Sequence, residues 1–166
     1  MDLGIILGKI GISPALTQDI SLLLVIIVFS LAFGMFIGRY KLITILINLY
    51  VAFAVVTVVP ESFLSDYLYE LILFLALVVV LTLLDKKLFE SYISGSGVGF
   101  LWRVFAMSFL EIMFILSIVF SIVPSKVALD LISPAALEYL TSENASLFWA
   151  VVPLVFMAFI SKRLNR

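Results

Sequence analysis

Residues 20–38 read ISLLLVIIVFSLAFGMFIG, nineteen positions without a charge. At ~1.5 Å per residue this is about 28 Å of helix, the thickness of one hydrocarbon core. A soluble helix buries one stripe and turns a charged face to water; this stretch has no such face. It predicts a transmembrane helix, and the rest of the chain repeats the pattern. Gly38, Arg39, Tyr40 and Lys41 turn the chain back with polar groups at headgroup level. A second span is expected over 42–60, ending at Pro60, and a third over 67–84 with Glu70 in its first turn. The connection 85–103 mixes charges with Tyr92, Trp102 and a Ser/Gly run over 94–99. A fourth span, 104–123, stops at Pro124. Residues 125–144 form an amphipathic connector broken at Pro134, after which Ser142 or Asn144 can cap a fifth span over 145–160. That last span is short and contains Pro153, so it either crosses or re-enters. The fold class expected is all-α, one transmembrane domain over 1–166 built as a bundle of about five helices.

Composition agrees. Of 166 residues, 64% are hydrophobic and 13% charged, where a soluble domain is nearer half and a quarter. A core of this size cannot hide so much apolar surface, so much of it must face lipid. Cysteine and histidine are absent, which excludes disulfides, thiol nucleophiles, Cys/His metal sites and imidazole chemistry. Residues 1–19 lack a basic stretch before an apolar one, so no cleavable leader is expected. Residues 3–15 read as a segment at the membrane surface or a flexible leader.

Basic residues set the orientation. Arg39, Lys41, Lys86, Lys87, Arg103, Lys162, Arg163 and Arg166 fall on one side of a five-span topology, and only Lys9 and Lys126 fall on the other. The positive side is cytoplasmic, which puts the N-terminus out and the C-terminus in. Tyr67, Tyr69, Tyr139 and Trp149 then lie near the outer boundary and Tyr40, Tyr92 and Trp102 near the inner one, as interfacial aromatics do.

Two features invite a functional reading. Ser30, Gly34 and Gly38 share a face of the first helix, and Thr44, Asn48 and Ala52 form a similar stripe on the second. Small residues at this spacing let helices approach closely, so the stripes are expected to join the first hairpin; an oligomer interface or a pore lining is the alternative. Glu111 is the ionisable residue deep inside the fourth span. A carboxylate there costs on the order of 3 kcal/mol on insertion scales, so it must be paired, protonated or hydrated. Residue counting places Ser30, Asn48 and Glu111 at one level, an intramembrane polar cluster, with Ser108 one turn away. One expectation is a protonated Glu111 hydrogen-bonded to Asn48 or a serine, locking the helices. The others are proton or cation handling, and docking against another protein's basic residue.

Gly95, Gly97 and Gly99 lack the strand and helix that a phosphate loop needs and read as linker. No nucleophile elbow, metal motif or cofactor loop is present, so neither an enzyme nor a cofactor is expected.

With Asp19 opening the first span, Gly38 to Lys41 turning it and a Ser/Gly-rich connection before the fourth, the chain resembles the colicin V production family of bacterial inner-membrane proteins over 19–60 and 94–123. It departs in the extra last span and in a Gly-Arg turn where that family has Arg-Gly. The resemblance implies a role in envelope function or toxin-peptide export. Residues 144–166 also resemble the end of rod-shape-determining MreD proteins, which implies a cell-wall elongation complex. The function expected is that of a small inner-membrane scaffold or accessory subunit; the alternative is an oligomeric proton or cation channel or transporter using Glu111. The partners expected are the bilayer and another membrane protein or a second copy, not nucleic acid.

The topology is testable because the chain has no cysteine. On intact cells an impermeant thiol reagent should label Ser62→Cys and spare Ser96→Cys; the reverse pattern would refute the orientation.

Overall fold

The computed structural model describes residues 14–37, 41–60, 62–64, 66–84 and 98–164, and every regular element among them is a helix. These are α1 (Pro14–Ile37), α2 (Leu42–Val58), α3 (Tyr67–Leu84), α4 (Val98–Ile122), α5 (Ser125–Leu129), α6 (Pro134–Thr141) and α7 (Glu143–Leu164). The expected segment before Pro14, the turn at Gly38, Arg39 and Tyr40, and the connection 85–97 lie outside the described residues.

Prolines draw several of the boundaries. Val59 is extended, at φ −66° and ψ 128°, as a residue before proline prefers, and α2 ends there two positions earlier than expected. Pro124 closes α4 in the same way. Pro134 opens α6 at its first turn, with Ser133 as the cap: its Oγ accepts the Ala136 N–H at 3.0 Å. Pro14, expected within the segment 3–15, instead starts α1, because the first turn needs no proline N–H. Val98 and Gly99, read as linker, belong to the first turn of α4, where the cost of one glycine is small against a 25-residue helix.

Among the described residues four helices are long and apolar enough to cross a bilayer: Thr17–Ile37, Tyr67–Leu84, Leu101–Ile122 and Glu143–Ile160. Leu42–Val58 is the shorter one, about 26 Å by its residue count. α7 is longer than the sixteen residues expected and passes through Pro153 as one helix instead of turning back at it.

α4 is the centre. It packs against α1, α2, α3, α6 and α7, while α2 also packs on α3 and α6 on α7. In α4 44% of the apolar window is buried, against 17% in α1, 6% in α3 and 11% in α7. The outer helices therefore show large apolar side chains all along, such as Phe29, Met35 and Phe36 on α1 and Ile72, Val79 and Leu83 on α3. Such surfaces are stable in lipid and not in water.

The partner of the α1 stripe differs from expectation. A Cβ on Gly34 would sit 2.6 Å from Ser108 Oγ and 3.2 Å from Val104 Cγ1, so Gly34 lies against α4 and not α2. Asn48, in the middle of the α2 stripe, reaches α3, where its Nδ2 donates to Thr82 Oγ1 at 3.3 Å. Thr44 and Ala52 are buried on α2. The two stripes thus serve two interfaces, Gly34 against α4 and Asn48 against α3.

The connector closes one end of the bundle. Ser133 Oγ donates to Asp19 of α1, Ser117 Oγ of α4 to the Leu140 carbonyl at 2.7 Å, and Trp149 Nε1 of α7 to the Tyr139 carbonyl at 2.9 Å. Below these bonds Ile132 and Leu140 join Ile26, Ile112 and Met113 in an apolar cluster.

Gly34→Ala should lower the melting temperature in detergent, by the equivalent of about 1–3 kcal/mol. Ser108 cannot turn aside without giving up its bond to the Val104 carbonyl. Removing the hydroxyl in Gly34→Ala/Ser108→Ala should recover most of the loss. A single variant that melts with the parent would mean the helices are further apart than this.

Candidate functional site

Glu111 sits near the middle of α4 and is fully buried, as are its helix neighbours Met107 and Ser108. Around the helix, Val104, Ser108 and Ile112 turn toward α1, whereas Met107, Phe114 and Ile118 belong to the cluster built on α2. At ~100° per residue Glu111 falls between these faces, at the seam where α1 and α2 meet α4.

Neither carboxyl oxygen of Glu111 has a hydrogen-bond partner among the described residues. The groups expected to supply one are committed elsewhere. Ser30 is buried on α1 but donates to its own Ile26 carbonyl at 2.7 Å. Asn48 is 5% exposed and donates to Thr82. Ser108 donates to the Val104 carbonyl at 2.9 Å. Serines in apolar helices commonly bond one turn back, because that acceptor is always within reach. The three residues of the expected cluster are therefore all buried, but they do not bond to one another. Glu111 presents no exposed surface in the single chain.

Sequence reasoning missed a second polar contact in the membrane region. The Tyr50 hydroxyl of α2 donates to the Ala150 carbonyl of α7 at 2.5 Å, and the Tyr50 ring lies 4.6 Å from that of Phe114, centroid to centroid. Pro153 lies one turn on. Proline has no N–H for the carbonyl four residues back, here that of Trp149, and its ring crowds that turn. The Tyr50 hydroxyl meets the carbonyl of Ala150, the residue next to it in the same turn. The signal was present as a lone mid-span tyrosine and a mid-span proline, but nothing in the sequence pairs α2 with α7.

No described group of His, Cys, Asp or Glu has the numbers to hold a metal by itself. Polar side chains do not form a file along α4: Ser117 is turned about 120° from Glu111 and spends its proton on the connector. A groove of about 250 Å³ between α1, α4 and α6, lined by Leu22, Ile26, Met113 and Leu140, is apolar apart from Asp19 and Tyr139 at its rim.

Described residues that are all helical, with four membrane-length apolar helices among them, fit the multi-pass membrane class. Comparison with protein-family models, with curated proteins and with solved structures finds no match.

The helix-lock reading predicts that Glu111→Leu destabilises the bundle. The bonding observed predicts the reverse. An unpaired buried carboxyl carries a desolvation cost of about 1–3 kcal/mol, which an apolar side chain of similar volume removes. Glu111→Leu should therefore melt above the parent in low-salt detergent buffer, and Glu111→Gln should not. A clear loss of stability in Glu111→Leu would show that the carboxyl holds a structural bond.

Proposed function

We propose that this chain is a small bacterial inner-membrane scaffold or accessory subunit in an envelope or export process. In this reading it has five spans, with the N-terminus outside, and acts by helix–helix association. The observation that supports it most is the division of labour among the helices. Apart from Glu111, the polar side chains described above spend their hydrogen bonds within the bundle, while α1 and α3 turn broad apolar faces outward. Helices associate in lipid through the shape of such faces, by dispersion and close packing. The choice of an envelope or export process rests on the resemblance to the colicin V production family, and the orientation on the basic residues.

One observation favours a second reading, a small oligomeric proton or cation channel or transporter: the buried, unpartnered Glu111 carboxyl. Intramembrane carboxyls of this kind commonly serve ion or proton movement.

Two measurements separate the readings. Purification in mild detergent with mass analysis should yield a stoichiometric membrane partner or a defined oligomer. Val79→Trp, which enlarges an exposed side chain of α3, should weaken that association without lowering the melting temperature. A monodisperse monomer with no partner would count against the scaffold. Reconstituted liposomes under an imposed proton gradient should show only background flux. Robust flux lost in a stably folded Glu111→Gln would replace the scaffold with the transport reading.

A further inference from the structure

The polar groups around Glu111 are an unusual set, because the hydroxyl protons nearest in register are already used. α1 and α4 run antiparallel: Gly34 meets Val104 and Ser108, Ile26 clusters with Ile112 and Met113, and Asp19 reaches Ser133 beyond the end of α4. One turn from Gly34 toward Asp19 is Ser30, and one turn from Ser108 toward Pro124 is Glu111, so Ser30 and Glu111 share a level. All three side chains, Ser30, Ser108 and Glu111, are fully buried. Both serines donate to carbonyls of their own helices, which leaves their oxygen lone pairs as acceptors. The Glu111 oxygens receive no hydrogen bond.

This is the wrong set for an ionised carboxylate left to itself, which needs donors, and the right set for a positive ion, which needs acceptors. We propose that Glu111, Ser30 and Ser108 form an occluded binding site for a small monovalent metal cation of the sodium type, exchanging there with a proton.

Charge decides the valence. One carboxylate neutralises one positive charge, so a monovalent ion leaves the site neutral in the low-dielectric interior. A divalent ion would leave it charged, with no second carboxylate grouped there among the described residues. Ligand hardness decides the class: carboxylate and hydroxyl oxygens suit alkali and alkaline-earth ions, not soft metals. The close approach at Gly34 favours a small ion. When the cation leaves, one proton binds the carboxylate in its place, and the charge of the site is unchanged.

Titratable groups facing the site from its neighbours are few. Between Asp19 and Ile37 α1 has none, between Glu70 and Leu84 α3 has none, and between Glu143 and Lys162 α7 has none. α2 brings Tyr50, whose hydroxyl is held by Ala150, and α4 has no other between Arg103 and Lys126.

The inference takes its residue from the second functional reading but requires binding only, so flux can be absent while it holds. Purified chain in mild detergent is treated with dicyclohexylcarbodiimide, a hydrophobic reagent that adds the O–H of a protonated carboxyl across its C=N bond. The modified peptide is identified by mass spectrometry. Glu111 should be labelled in the parent, and sodium at about ten times its dissociation constant should slow the labelling about tenfold. Potassium should protect less and choline not at all. Proton and cation compete, so more sodium should be needed as the pH falls. Ser108→Ala should still be labelled but lose most of the sodium protection. Sodium should also raise the melting temperature of the parent and not of Glu111→Gln. Labelling and melting that are both indifferent to sodium would overturn the site, as would an equal sodium shift in Glu111→Gln. Sodium-protected Glu111 without flux would make the ion a bound component of the bundle and leave the transport reading to fall alone.

Discussion

Hydrocarbon offers no water to complete a hydrogen bond, so in this bundle each polar group must find its partner within the chain or remain without one. α4 is where that constraint is met and where it fails. Its Ser117 is tied to the connector, its Ser108 to its own backbone, and its Glu111 to nothing. The other long helices are arranged around this one. α1 approaches it at Gly34, α2 packs Leu46, Leu49 and Val56 into the cluster shared with Met107 and Phe114, and α7 packs along it.

The same constraint explains where the chain bends. Prolines stand at the end of α2, the end of α4 and the start of α6, positions where a missing N–H costs little. Pro153 is the exception, inside a membrane-length helix, and there the structure supplies a tyrosine hydroxyl from α2. Asn48 and Thr82 do similar work between α2 and α3. These bonds are short-range and specific, whereas the apolar contacts around them are interchangeable with lipid. A few polar contacts and one close approach at Gly34 thus add specificity to helices held by apolar packing.

The proposed association and the proposed ion site would draw on different residues. The outward faces of α1 and α3 are apolar and far from the Glu111 seam, and the connector seals one end of the bundle through bonds to α1, α4 and α7. An occluded ion would replace the bond that Glu111 lacks and tighten α1 against α4. A partner helix would meet the opposite surface of α1 or α3.

The all-helical class, the long apolar helices and the proline boundaries were legible in residue order, because each depends on local hydropathy and on backbone chemistry within one turn. Residues 67–84 show this best, since the expected span and α3 coincide. Which helices touch was not legible. Residue counting put Ser30, Asn48 and Glu111 at one depth, but depth is one coordinate, and the direction in which a side chain points depends on rotation about the helix axis. Two consecutive helices joined by a short turn look like a packed hairpin in sequence, and the α1 stripe was read against α2 for that reason. In three dimensions α1 lies on α4, and Asn48 turns to α3. Only the tertiary arrangement could decide that the groups able to satisfy Glu111 were already bound to nearer acceptors. A serine one turn from a carbonyl bonds to it without any change of packing, and both Ser30 and Ser108 do so.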